Sequence, residues 1–342
     1  MDLKETIKNK ATALGIDLFA VAPVEVLTNY VSQVSKRMND LAIGLTDYMV
    51  NESDQDFFNN LSNPYHFLPN AKSIIVLGVY AYDDQSNYRH CNVEGRCKTA
   101  RTYSYYPVIR QMVQKLSAQI NELGYEAVEG QNIPLKYVAS KTGLGSYGKN
   151  GLLLTKKYGS FVALRSIISD MPLDPDNHDS ENPCDGCDAC LKACPTKALY
   201  DPYKVNPTLC VNPIGRKDDI ILPEDRRKMR TWLRGCDICQ DVCPANRQLI
   251  PRKTHEWAGF FPQFHESHKD LDGLEKCPKA IDLIKESYPK TVRRNAAIAL
   301  ANLGKGSEQI ISGLEEQVRI SDGEVKSYFR WAIDELSKNK SK

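Results

Sequence analysis

Eight of the chain's eleven cysteines fall between Cys184 and Cys243. "CDGCDACLKACP" sets Cys184, Cys187, Cys190 and Cys194 in the order C-x2-C-x2-C-x3-C-P, closed by Pro195. "CDICQDVCP" follows with Cys236, Cys239 and Cys243 as C-x2-C-x3-C-P, and Cys210 stands between the two runs. The first spacing is that of bacterial two-cluster ferredoxins, in which the fourth cysteine serves the other cluster. Three thiolates two residues apart wrap three corners of one iron–sulfur cube through a tight turn, and the next cysteine points away on the following helical turn. Crossing over by the same logic gives one cube Cys184, Cys187, Cys190 and Cys243. The second takes Cys194, Cys236 and Cys239, and Cys210 fills its open corner. Zinc is the competing metal, because paired C-x2-C elements also build tetrahedral sites. The overlapping triple, the proline after each final cysteine and the total of eight favour two [4Fe–4S] clusters. Such a pair is an electron wire, and the cysteines do not say where it ends.

At 342 residues the chain exceeds one ordinary core, so two or three domains are expected. A net charge of +2 with 26% charged residues gives no global electrostatic case for nucleic acid, which leaves a local basic patch open. The start, "MDLKETIKNKATALGIDLFAVAP", carries charges every few residues and reads as neither a secretory signal nor a membrane anchor. No stretch approaches the ~20 apolar residues of a membrane span. A cytoplasmic location follows as the expectation, and there thiols stay reduced. Cys91, Cys97 and Cys277 lie outside the metal pattern. "CNVEGRC" reads either as a redox pair or, more simply, as free thiols.

The first half has the pattern of a mixed α/β unit. Leu3, Ile7, Ala11 and Leu14 have helical spacing over residues 2–15, and "LFAVAP" follows as a short strand. "KSIIVLGVYAY" (72–82) is a continuous β-branched run, the pattern of a buried strand. Val108, Met112, Leu116 and Ile120 mark an amphipathic helix over 106–124, with Gly124 as its stop. "GLLLTKKYGSFVALRSIISD" (151–170) suggests a strand hairpin around Tyr158-Gly159, and residues 171–183 read as a linker. Near the end, "TVRRNAAIALANLG" (291–304) is echoed by "EVKSYFRWAIDEL" (324–336), which suggests a short α-solenoid or a single helical hairpin.

The order "GLGSYGKNGLLLTKKYGSFVALRSIISDMPL", "CDGCDACLKACPTKAL", "GCDICQDVCPANR", "VRRNAAIALANLG" resembles the epoxyqueuosine reductase family over roughly residues 65–340. The resemblance implies an α+β multidomain chain. Residues 1–176 would form a nitroreductase-like α/β domain that binds cobalamin. Residues 177–250 would form a ferredoxin-like domain with two [4Fe–4S] clusters, and 251–342 α-helical HEAT-like repeats. It also implies a monomeric reductase that converts epoxyqueuosine in tRNA to queuosine with a low-potential donor such as flavodoxin or ferredoxin. The alternatives are the same machinery with a different substrate, or a non-catalytic electron-transfer or corrinoid accessory protein.

By the same resemblance, Gly143, Gly145, Ser146, Tyr147, Gly148, Lys149, Asn150 and Ser160 would line the corrinoid pocket. A carboxylic acid there would protonate the opening epoxide oxygen. Counting back from Gly143, the position matching the family's aspartate is Glu129, which read alone is equally a loop residue. Where the family has Asp-Tyr-His, this chain has Ser104, Tyr105 and Tyr106, so Tyr105 and Tyr106 are the phenols expected near the substrate. Arg216, Lys217, Arg226, Arg227, Lys228, Arg230 and Arg234, with Arg293 and Arg294, read either as contacts to tRNA phosphates or as helix faces with structural roles.

Overall fold

A computed structural model describes residues 2–27, 30, 36, 63–83, 95–130, 133–176, 184–216, 218, 220–253, 278–285, 288–304 and 306–340. Cys91, Lys217, Cys277 and the 177–183 part of the expected linker lie outside the described residues.

Helix α1 (Leu3–Ala13) starts where the Asp2 carboxylate accepts the Lys4 N–H, and it buries Ile7 and Ala11. Strand β1 (Leu18–Pro23) pairs antiparallel with β2 (Ser73–Tyr80), whose eight residues are all buried. Helix α2 (Tyr106–Asn121) has Pro107 in its first turn and buries Val108, Met112, Leu116 and Ile120. Its exit turns through Gly124, whose φ of 88° is the left-handed conformation that a glycine stop supplies. Strand β3 (Ala127–Glu129) and strand β4 (Val162–Ser169) complete an antiparallel sheet in the order β1-β2-β4-β3.

Successive side chains of a strand point to opposite faces, and β2 uses both. Ile75, Leu77 and Val79 face α1 and α2, among Ile7, Met112 and Leu116. Ile74 and Val76 face the other way, among Val138, Ala139, Leu153 and Ile168. That second face is covered by helix α3 (Leu135–Lys141). The continuous apolar run is therefore a strand buried on both sides.

The region expected to be one hairpin forms the turn but not the ladder. Thr155 N–H donates to Gly159 O at 2.9 Å, so the turn forms, but its arms separate. Leu153–Leu154 pairs with Ser146–Tyr147, whereas β4 joins the main sheet. The apolar demand of the central sheet captures the second arm. Residues 171–176 are equally not a free linker: Met171 and Leu173 are buried, and the Asp176 carboxylate accepts the Val21 N–H and the Lys4 ammonium, each at 2.8 Å.

The two echoing segments are helices α4 (Lys290–Leu303) and α6 (Gly323–Lys340), separated by α5 (Glu308–Ile320). They share a core with Met229, Trp232 and Leu233, and this core also takes in Cys97, Ala100 and Tyr103. Lys98–Thr99 pairs in parallel with Trp232–Arg234, so backbone hydrogen bonds connect the first third of the chain to the cysteine region. Cys97 is fully buried, donates its thiol to Pro278 O, and is pushed up to about 12 by burial, which makes it a packing thiol. Among the described residues, no helix is long and apolar enough to cross a membrane.

Candidate iron–sulfur centre

Cys184–Cys187 is a turn in which the Cys187 N–H donates to Cys184 O at 3.3 Å and Gly186 takes a φ of 65°. Cys190 lies on the short helix Ala189–Ala193, Cys194 ends it, and Pro195 prevents its extension. Cys243 follows the helix Ile238–Asp241, which packs against the first, and Pro244 again closes the turn. Cys184, Cys187, Cys190 and Cys243 line one cavity together with Lys149, Asn150, Leu154, Ala189 and Pro244. This is the first quartet read from the spacing, including its crossed-over member.

The other four thiols are electrostatic neighbours of one another in part. Burial raises the Cys210 thiol and Cys194 raises it further. Cys236 is pushed up to about 12 by burial, with added charge effects from Asp237, Cys210 and Cys194. Cys239 is raised by burial and then by Cys236 and Cys210, and it also feels Cys190 of the first quartet. The Cys194 thiol is lowered, because N–H groups of Leu199, Thr196 and Ala198 and the Thr196 hydroxyl outweigh its burial.

The donor set fits iron–sulfur clusters. None of the eight cysteines is in a disulfide, so all eight sulfurs are available as cluster ligands.

Beside these quartets runs a buried polar seam. The Arg101 guanidinium pairs with Asp237 at 3.1 Å and Asp241 at 2.7 Å, and the Arg101 N–H donates to Asp237 at 2.8 Å. Gln240 Nε2 donates to Asp237, the Ser160 hydroxyl donates to Gln240 Oε1, and Asn246 Nδ2 donates to Ser160 Oγ. Sequence reasoning missed Arg101, Asp237, Gln240 and Asn246; their partners lie up to 140 residues away, and nothing local marks them.

The residues that the resemblance assigns to a corrinoid divide into three groups. Protein atoms fill the space a side chain would need at Gly145 (Leu154 O) and Gly148 (Asn150 and Leu154), so these glycines serve the loop's own packing. Lys149 and Asn150 line the four-cysteine cavity, and Ser160 belongs to the seam. Gly143, Ser146 and Tyr147 remain half-exposed.

Glu129 ends β3, half-buried, with Arg165 Nη1 at 3.5 Å and Arg110 Nε at 3.8 Å from its carboxyl oxygens. The Arg165 guanidinium lies 5.5 Å from the centre of the Tyr106 ring, so Glu129, Arg165 and Tyr106 form one cluster. Tyr105 does not join it: its side chain is buried and donates to Asp83 at 2.6 Å. Arg165 had a signal in the sequence, as the one charge inside the apolar run "FVALRSIIS".

The basic stretch is largely consumed by packing. Arg294 is fully buried and donates to Gly215 O, while Arg293 donates to Ile284 O, Gln317 and Ser321. Arg226 lies over the rings of Tyr328 and Trp331, and Arg227 pairs with Glu335. Lys228 pairs with Asp225, and Arg234 lies over Tyr103. Arg216 and Arg230 are exposed.

Residues 183–246 match the model of a 4Fe-4S double cluster binding domain. The epoxyqueuosine reductase of Cyclobacterium marinum is 31% identical over 298 residues, covering 85% of this chain and 91% of that protein. The chain belongs to the epoxyqueuosine reductase family. The epoxyqueuosine reductase of Leadbetterella byssophila is 32% identical over 76% of this chain and 84% of its own length. Among solved structures, the epoxyqueuosine reductase of Streptococcus thermophilus superposes with a TM-score of 0.80 at 23% identity, covering 99% of this chain and 91% of that one. An epoxyqueuosine reductase bound to an epoxyqueuosine-modified tRNA-Tyr stem loop superposes with a TM-score of 0.66 at 23% identity, covering 98% and 99%. Both similarities are of fold.

Proposed function

We propose that this chain reduces epoxyqueuosine to queuosine in tRNA. The observation that carries the reading is the 31% identity with an epoxyqueuosine reductase over nearly its whole length. The two quartets, Cys184–Cys187–Cys190–Cys243 and Cys194–Cys210–Cys236–Cys239, hold one [4Fe–4S] cluster each and bring in low-potential electrons from a donor such as flavodoxin or ferredoxin. Cobalamin would supply a strongly reducing centre to this site. Gly143, Ser146 and Tyr147 are the loop residues that would meet it. Glu129 delivers the proton to the opening oxygen, with Arg165 fixing its carboxyl and Tyr106 beside it. Three units are proposed within the fold: a nitroreductase-like domain (1–176), the ferredoxin-like domain (177–250) and a HEAT-like helical domain (251–342). The protein acts as a cytoplasmic monomer, and tRNA is its macromolecular partner.

The deciding experiment combines purified holoprotein, cobalamin and a low-potential reductant with epoxyqueuosine-containing tRNA. Nucleoside analysis is expected to show queuosine accumulating. No product under conditions where a known reductase turns over would reject the substrate assignment.

A further inference from the structure

Lys149 lies in the glycine-rich loop that the family resemblance assigns to a corrinoid, yet its contacts lead elsewhere. Its backbone N–H donates to Cys184 Sγ at 3.5 Å, and its ammonium donates to the Cys187 carbonyl at 2.8 Å. Its own carbonyl accepts the Tyr203 N–H at 3.0 Å, so both ends of the residue are tied to the cysteine region. The local sequence explains the aim. The Gly151 N–H donates to Gly148 O, and Asn150 Oδ1 accepts the Leu152 N–H, which closes a tight turn with Lys149 at its outer corner. Gly148 leaves the room that Asn150 Oδ1 occupies, and Gly151 takes the φ of 72° that the turn requires.

We infer that Lys149 is a positioning residue of the first cluster: it clamps the Cys184–Cys187 turn and raises that cluster's reduction potential. The inference rests on the ligand set proposed above. Reduction adds one electron, and hence one unit of negative charge, to a cluster already anionic through its four thiolates. A neighbouring ammonium and an N–H···S hydrogen bond both stabilise the more negative form. Among the described residues Lys149 makes no ion pair at hydrogen-bonding distance; Asp188 feels its charge, but the Asp188 carboxylate is paired with Lys192 at 2.9 Å. The half-buried position of Lys149 beside the four-cysteine cavity strengthens the effect relative to open solvent.

The test is an anaerobic redox titration of the holoprotein followed by electron paramagnetic resonance, with iron content and corrinoid affinity measured on the same samples. Lys149→Met is expected to shift one of the two cluster potentials to a more negative value, leave the other in place and leave corrinoid affinity unchanged. Lys149→Arg is expected to restore the wild-type value. Loss of one cluster's iron in Lys149→Met, regained in Lys149→Arg, supports the clamp equally. Full iron content with both potentials unmoved overturns the inference while leaving the ligand set intact. Weakened corrinoid binding with unmoved potentials would return Lys149 to the corrinoid pocket. Wild-type protein unable to hold two complete cubes would instead reject the ligand set itself.

Discussion

Glu129 and Cys184 show how differently single residues disclose their roles. Cluster ligation fixes cysteine spacing within a turn and one helical step, so the first quartet's local members were readable from their order along the chain. The cavity that gathers Cys184, Cys187, Cys190 and Cys243 has the membership that the crossover rule requires. Glu129 has no such local rule. Its partners Arg165 and Arg110 arrive from a neighbouring strand and from α2, through the pairing of Glu129 with Ile167 on β4. Its chemistry is open to a direct test. Glu129→Gln keeps the shape of the side chain and removes its ionisable proton. Turnover should fall by ~100-fold or more, the usual scale for losing a general acid. The cluster spectra should stay unchanged. Near-normal turnover would leave Glu129 as an ion-pair anchor for Arg165.

At the scale of elements, the amphipathic and β-branched patterns predicted α1, α2, β1 and β2 because each buries a face that its own periodicity describes. The hairpin expected at 151–170 failed for a related reason. Periodicity reports that a segment pairs, and says nothing about which strand it pairs with. Helix α4 carries another lesson. Its Arg293 and Arg294 look like a phosphate-binding pair in sequence, yet their donors end on protein acceptors. The adjacent Asn295 is fully buried and donates to Gly215 O at 2.7 Å and Leu233 O at 2.9 Å, which fastens α4 to the segment leading into the second run. Asn295→Ala leaves both carbonyls without that donor. The expected loss is about 1–3 kcal/mol for a buried group left unsatisfied, read as a lower midpoint in chemical denaturation. The salt dependence of tRNA binding should not change, since no phosphate contact is removed.

For the whole molecule, the clusters and the sheet are mechanically joined. The Ser160 N–H donates to Asn246 Oδ1 at 3.0 Å, and the Ala100 N–H donates to Arg234 O at 2.9 Å. Metal binding in small cysteine-rich units is coupled to folding, so emptying the quartets loosens what they organise. Anaerobic removal of the clusters should therefore lower hydrogen-exchange protection at Ser160 and at Lys98–Ala100, far along the chain from any ligand. The β2 amides from Ile74 to Val79 should keep their protection. Equal loss across β2 would mean that the sheet and the clusters unfold as one unit. The ion pair between Arg101 and the buried Asp237 belongs to the same joint, and losing one partner of such a pair typically costs about 3–5 kcal/mol. None of this was legible beforehand, because a long-range polar match leaves no period or spacing behind.

The seam of Arg101, Ser160, Gln240 and Asn246 also limits how such reductases can be recombined. A chimera that takes residues 184–250 from a distant relative imports the acceptors and donors of a foreign seam. It leaves Arg101 and Ser160 facing whatever side chains the graft happens to carry. The electron-carrying module is thus not interchangeable by its cysteines alone, and a viable exchange must carry across both sides of the seam together.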